Sequence, residues 1–271
     1  MTRKMIPNND ATIDDDDAPV GRVLTRREVL ALLGTAGALA CAPAALNAAS
    51  SSGAASAAAT SAASAGASVS GTVAAPSCIV RPALTEGPYF VDEKLNRTDI
   101  RTEPSTGAVK PGIQLALTFN VSRVASSGCT ALANAQVDVW HCDAAGVYSD
   151  ASDPSFNTKG QKFLRGYQLT DANGKASFTT IYPGWYGGRA VHIHFKLRTT
   201  NGSQVSDFTS QLFFDDSLNS EVFAQAPYNQ KTGSFLRNAQ DGIYTGGGDK
   251  LLLKPTKSGS SYTATFDIGL A

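Results

Sequence analysis

Ile113-Gln114-Leu115-Ala116-Leu117-Thr118-Phe119-Asn120-Val121 carries a large apolar side chain at every second position. Side chains alternate across a strand, so these five share one face and predict a long strand with one buried side. The same period recurs in Val137, Val139 and His141. It recurs on both sides of Asp171-Ala172-Asn173-Gly174, a turn signal between the run Phe163–Thr170 and the alternating Ala176, Phe178 and Thr180. These two runs are expected to pair as a hairpin. Further strands are expected near 190–199, 208–214, 249–254 and 261–269, and a short helix over 217–226. There is no internal repeat and no strong helical periodicity. So many strands, separated by Gly, Pro and Asn turns, indicate an all-β domain, an antiparallel sandwich or barrel.

The strand pattern occupies only the later part of the 271-residue chain. Residues 1–75 are expected to lie outside the fold. An acidic start (Asp14, Asp15, Asp16, Asp17) leads to Thr25-Arg26-Arg27-Glu28-Val29-Leu30 and then to the uncharged stretch Val29–Ala40, which has no polar face. A twin arginine before a short, mildly apolar run resembles a twin-arginine export signal, assigned to residues 1–47. Ala42-Pro43-Ala44 offers a cleavage site, and a lipidated Cys41 is the alternative. From Ala48 to Ala75, 24 of 28 residues are Ala, Ser or Gly. Such a stretch cannot bury enough apolar surface to offset its ordering entropy, so 48–75 reads as a flexible spacer. The folded domain is expected over 76–271.

Charge is balanced, with 23 Lys+Arg against 23 Asp+Glu. This argues against electrostatic binding of nucleic acid or of an acidic membrane surface. No run has the length and uniform apolarity of a transmembrane helix. Export permits disulfides, and the three cysteines of 76–271 allow one intramolecular pair. Cys78 and Cys129, both in loop-like sequence, are the expected pair, leaving Cys142 as a buried thiol.

All three histidines lie in the domain, and two of them stand close together. His192 and His194 in Val191-His192-Ile193-His194-Phe195 are two apart on an expected strand, so their rings project from one face. That geometry suits two imidazoles on one metal ion, and equally a pair of hydrogen-bonded core histidines. Two more segments stand out: Gly146-Val147-Tyr148-Ser149, after the strand holding Trp140-His141-Cys142, and the Gly-rich turn Tyr182-Pro183-Gly184-Trp185-Tyr186-Gly187-Gly188-Arg189. Taken singly, Tyr148 reads as a turn tyrosine and Arg189 as half of a surface ion pair. Trp140 and Trp185 read as packing residues, and His141 as a satisfied core histidine.

Taken together, these segments resemble the intradiol ring-cleavage dioxygenases, the family of catechol 1,2-dioxygenase and protocatechuate 3,4-dioxygenase. The resemblance runs from about Cys78 to about Tyr244. It implies a β-sandwich with Fe(3+) held by Tyr148, Tyr186, His192 and His194. Tyr182 precedes the turn and matches no ligand. Arg189 matches the family's arginine and Gln211, in Gln211-Leu212-Phe213-Phe214, its glutamine; Glu86-Gly87-Pro88-Tyr89 matches a segment near the substrate pocket. The implied reaction is O2-dependent cleavage of a catechol, chelated through both oxygens, to a muconate-type diacid.

The residue types suit that chemistry. Iron(III) is hard and favours anionic oxygen beside imidazole, and a bound metal deprotonates tyrosine despite its ordinary pKa near 10. Tyr186, on a Gly-rich turn, is the ligand expected to leave when substrate binds. Arg189 is expected to stabilise negative charge on the ring, and Gln211 to support the pocket. The resemblance also marks departures. The segment from Tyr186 to His192 is short, no helical dimerisation segment precedes the domain, and an export signal points to lignin- or plant-derived catechols met outside the cytoplasm. Two other readings remain open at this point. One is a metal-free β-sandwich binding module; the other is a zinc hydrolase or isomerase, which leaves both tyrosines without a role.

Overall fold

Alternating apolar runs can bury one face each only by stacking sheet on sheet, and the chain does so. The computed structural model describes residues 79–201 and 204–271. The expected export signal, the spacer, Cys41 and Cys78 lie outside the described residues. In chain order the strands are β1 (Gln114–Ala125), β2 (Gly128–Ala131), β3 (Gln136–Trp140), β4 (Ser152–Asp153), β5 (Phe156–Asn157), β6 (Arg165–Leu169), β7 (Lys175–Ile181), β8 (His192–Asn201), β9 (Gln204–Phe213), β10 (Thr256–Ser258) and β11 (Ser261–Leu270). Helix α1 (Asp216–Phe223) starts where the Asp215 side chain accepts from the Ser217 amide, and α2 (Gly242–Thr245) is a single turn.

One sheet has the order β10-β11-β1, and the other edge of β1 takes β7 and then β2 end to end. The second sheet has the order β6-β3-β8-β9, and β4 and β5 form a small separate ribbon. The all-β sandwich expected from the sequence is thus present, with three local differences. Strands β6 and β7 are not a hairpin. The Asp171–Gly174 turn is real, with the Gly174 amide donating to Asp171 O at 2.9 Å, but it carries the chain from one sheet to the other. A turn signal specifies a reversal; which strands pair is decided by the neighbours each run meets, here β3 for β6 and β1 for β7. Second, β1 and β11 run parallel, so the first sheet is mixed. Third, 249–254 is not a strand: Gly248–Leu251 form a 3-10 turn, and only Leu252 and Leu253 attach to the end of β9.

The core lies between the two sheets. Leu115, Leu117, Phe119 and Val121 of β1 pack with Phe178, Phe266 and Ile268 from their own sheet, against Val137, Val139, Ile193, Phe195 and Leu197 of the other. Phe119 is central: its ring lies 6.1 Å from Phe178 and from Phe266 and 5.3 Å from Phe195 across the sandwich. Cys129 is disulfide-bonded and Cys142 is a buried free thiol. No helix among the described residues is long and apolar enough to cross a membrane.

His141, just past the end of β3, is the satisfied core histidine expected. Its Nδ1 faces the Cys142 carbonyl at 2.8 Å and must donate, so its Nε2 accepts from the Thr180 hydroxyl at 2.6 Å. Burial pushes its pKa from 6.5 down to about 4.

Two stability measurements follow from these contacts. Phe119→Ala is expected to cost about 3–5 kcal/mol in urea denaturation, because it empties the centre of the core. As pH falls below 6.5, the unfolded chain takes up a proton at His141 that the folded chain refuses until about 4. The stabilisation from neutral His141, of order 3 kcal/mol, is therefore complete above pH 6.5 and is lost on acidification. Urea titrations at pH 7 and pH 5 should show stability falling, and falling less steeply in His141→Gln.

Candidate metal centre

Strand β8 divides its residues between two environments. Ile193, Phe195 and Leu197 are buried in the core, so the period of two turns His192, His194, Lys196 and Arg198 to the opposite face. Segments preceding β1 and following β3 and β7 cover that face, and both histidines are buried beneath them.

Tyr148 lies in the connection from β3 to β4. Asp143 organises this connection: its Oδ1 accepts from the amides of Ala145 and Val147, each at 3.0 Å, and its main chain bonds Val147 and Gly146. Thr158 then donates to the Tyr148 carbonyl at 2.6 Å, and the buried Arg165 donates to both the carbonyl and the hydroxyl of Ser149. Tyr148 is fully buried as a result. Tyr186 arrives on the loop from β7 to β8 and is half-buried beside the exposed Gly187 and Gly188.

The four candidate ligands converge. His192 Nε2 lies 3.3 Å from Tyr148 Oη, 3.1 Å from Tyr186 Oη and 3.0 Å from His194 Nε2. Its Nδ1 faces the Ala190 carbonyl at 2.6 Å and must donate, so Nε2 presents a lone pair to the cluster. His194 Nδ1 is buried without a hydrogen-bond partner among the described residues. Such a group of polar atoms has more lone pairs and protons than it can pair internally. Donors that share one ion at roughly 2 Å lie about 3 Å from one another, as these do. Two phenols and two imidazoles also supply the hard-oxygen and nitrogen set that suits iron(III).

The electrostatics agree. Burial, and then the Arg189 charge, push the His192 pKa down to about 3. Burial and the neighbouring His192 depress His194 well below its ordinary value. Burial, followed by Tyr186, raises Tyr148 well above 10, and burial likewise raises Tyr186 against the pull of Arg189. Without a cation the cluster is therefore neutral, with bare imidazole nitrogens and protonated phenols. A bound trivalent cation would supply the charge that favours both tyrosinates.

Arg189 and Gln211 lie next to the cluster and are bonded to each other. Arg189 Nη2 donates to Gln211 Oε1 at 2.6 Å, and Gln211 Nε2 donates to the Thr85 carbonyl at 2.9 Å. In the sheet, Gln211 and Trp140 flank His194 from the two neighbouring strands. Trp140 stacks on the His194 ring, centroids 4.9 Å apart and planes 7° apart, so it packs, as expected, but against a candidate ligand. The Glu86-Gly87-Pro88-Tyr89 segment is close as well. Gly87, at φ +70°, lets the backbone approach so tightly that a Cβ would sit 3.3 Å from the His194 ring. Tyr89 stacks on Tyr148 at 4.4 Å and donates to Asp153 Oδ2 at 2.7 Å. Tyr182 is excluded from the cluster; its hydroxyl is buried on Asn219.

Asp241 was missed in the sequence. Its buried carboxylate accepts from Arg189 Nε at 3.1 Å and from the Ala190 amide at 2.7 Å with one oxygen, and from the Ile243 amide at 2.7 Å with the other. Burial alone would raise its pKa, but Arg189 and the amides hold it below the usual carboxylate range. It thus fixes Arg189 and also the residue whose carbonyl sets the His192 tautomer. Its one sequence signal, Asp-Gly before a helical turn, reads as an ordinary N-cap. Arg165 had no signal beyond a basic residue in a strand run.

A pocket of about 430 Å3 opens onto Tyr148 and Tyr186, with Tyr89, Phe156, Asp153 and Lys231 also lining it.

Known proteins resemble this chain in sequence and in fold. A family model described as Dioxygenase matches residues 85–243, more than half of the chain. Catechol 1,2-dioxygenase 2 of Acinetobacter lwoffii is 33% identical over 139 residues, 42% of this chain and 45% of that protein. The protocatechuate 3,4-dioxygenase beta chain of Burkholderia cepacia is 37% identical over 99 residues, 33% of this chain and 42% of that one. The matches thus span less than half the length of these two relatives. An intradiol ring-cleavage dioxygenase structure from Tetranychus urticae matches with a TM-score of 0.61 at 30% identity, over 71% of this chain and 94% of that chain.

Asp241→Ala is expected to weaken iron binding by roughly 10- to 100-fold, the usual effect of removing a group that orients a metal ligand. Competition with a coloured chelator measures it; unchanged affinity would mean that Asp241 does not support His192.

Proposed function

Because the chain belongs to the intradiol ring-cleavage dioxygenase family, we propose that it is an iron(III)-dependent enzyme that opens a catechol ring with O2 between the two hydroxyl-bearing carbons. The product is a muconate-type diacid. The observation that carries this reading is the convergence of Tyr148, Tyr186 and His194 on His192 Nε2 at 3.0–3.3 Å. A zinc site built on the histidines alone leaves those two phenols unexplained.

The chemistry iron(III) would supply is Lewis acidity, favouring the doubly deprotonated catecholate and its reaction with O2. Tyr148 is the permanent ligand in this reading; its burial and the Thr158 and Arg165 anchors support that role. Tyr186 would be the ligand to give way to substrate, and its Oη would take one of the two catechol protons as the neutral phenol. Its place on a loop next to the exposed Gly187 and Gly188 supports that mobility. Arg189 stabilises negative charge developing on the ring, and its clamp between Asp241 and Gln211 spares it reorganisation during the reaction. The enzyme is read as exported through a twin-arginine signal in residues 1–47, which carries folded protein and so permits iron insertion beforehand.

The purified chain is expected to be coloured with one iron per chain, to change its visible band on anaerobic addition of catechol, and to release a muconate-type product when O2 is admitted. Tyr148→Phe and His194→Ala are each expected to lose iron retention and ring cleavage. Full activity in either variant would sink the assignment. A protein that stays colourless after reconstitution with iron would turn the reading to a binding module that keeps the motif without its metal.

A further inference from the structure

The pocket in front of Tyr148 and Tyr186 is larger than its simplest substrate needs. Pockets of roughly 300–1,000 Å3 hold drug-sized ligands, whereas a bare catechol is one ring with two oxygens; here the volume is about 430 Å3. Two charged side chains line it, Lys231 and Asp153. Asp153 is already satisfied: its Oδ2 accepts from Tyr89 at 2.7 Å, and its Oδ1 from the amide and hydroxyl of Ser155 at 2.9 and 2.6 Å.

Lys231 is different. Its Nζ donates to the carbonyls of Ala145 and Trp185, both at 2.7 Å, and lies 4.4 Å from the centroid of the Trp185 ring. An ammonium has three donors, so one remains. Gly146 makes room for this arrangement: at φ +83°, a Cβ there would come within 2.6 Å of Lys231 Nζ. Lys231 has no ion pair among the described residues. Asp143, whose charge it feels, is committed to Lys110 at 2.8 Å and to the amides of Ala145 and Val147. Burial holds the Lys231 pKa below its ordinary value, as expected for an ammonium partly desolvated without a carboxylate beside it.

We infer that Lys231 is the anion-recognising group of this pocket, and that the substrate is a catechol whose ring carries a side chain ending in a carboxylate. The carboxylate takes the third Lys231 hydrogen in a charge-assisted bond, and the spare volume takes the side chain. This inference rests on the catechol reading above and adds the substrate class.

A matched pair tests it: 3-(3,4-dihydroxyphenyl)propanoate and its methyl ester, which share a ring and nearly a shape but differ in charge. Both are measured on the iron-loaded full chain, by turnover and by anaerobic calorimetric binding. The acid is expected to exceed the ester roughly tenfold in kcat/KM and in affinity. Lys231→Gln should collapse that ratio to near one, chiefly through the KM of the acid, and Lys231→Arg should restore it. Equal handling of acid and ester by the wild type overturns the inference. So does a proportional loss of both in Lys231→Gln, which would make Lys231 only a clasp between the Ala145 and Trp185 loops. If acid, ester and catechol all go uncleaved and unbound, the catechol reading itself fails, and the inference falls with it.

Discussion

The candidate centre depends on one constraint, the two-sided environment of strand β8. Ile193, Phe195 and Leu197 are locked into the core from one face, each contributing about 1.5–3 kcal/mol by burial. That burial fixes the strand's orientation, because a slip of one residue would turn every side chain over. His192 and His194 are thereby held on the other face with their Nε2 atoms 3.0 Å apart. Hydrophobic packing, which has no direction of its own, becomes directional for the histidines through the pleat of the strand.

The sheet and its loops complete the arrangement in different ways. Strand register sets Arg165, Trp140, His194 and Gln211 side by side across four strands. Trp140 braces the His194 ring, Gln211 reaches Arg189, and Arg165 secures the loop that carries Tyr148. The tyrosines cannot come from the sheet itself, since their phenols must approach the histidines from above. Loops supply them, and polar groups hold the loops alongside the packing of Tyr148 and Tyr186 with Trp140 and Tyr89: Asp143 and Thr158 for Tyr148, and Lys231 between Ala145 and Trp185. Asp241 then holds both the Arg189 side chain and the Ala190 amide, and the Ala190 carbonyl accepts from His192 Nδ1.

Burial has a double effect on these groups. It keeps the metal-free cluster uncharged, with imidazoles far below their ordinary pKa values and phenols above theirs. The same low polarity magnifies the attraction of a cation for developing tyrosinate charge. Metal binding at such a site is therefore linked to proton release and weakens as pH falls.

Period-two alternation made the all-β class legible, and the histidine spacing made a shared face legible, because both are local consequences of strand geometry. The four candidate ligands, with Arg189 and Gln211, were legible only through a resemblance in motif order; spacing alone left His192 and His194 open between a metal site and satisfied core residues. The hairpin expected across Asp171–Gly174 failed because a turn does not choose which strands will pair, and the strand expected at 249–254 failed because apolar residues can also attach singly to a sheet edge. Asp241, Arg165 and Lys231 are 47, 27 and 37 residues from the nearest of His192 and His194 in the chain. Their partners are backbone groups and side chains of other segments, and no local pattern records them. By itself the sequence determined which side chains share a face of each strand. Tertiary structure decided which faces meet, since that depends on pairings between segments far apart in the chain, and so on the whole core forming at once.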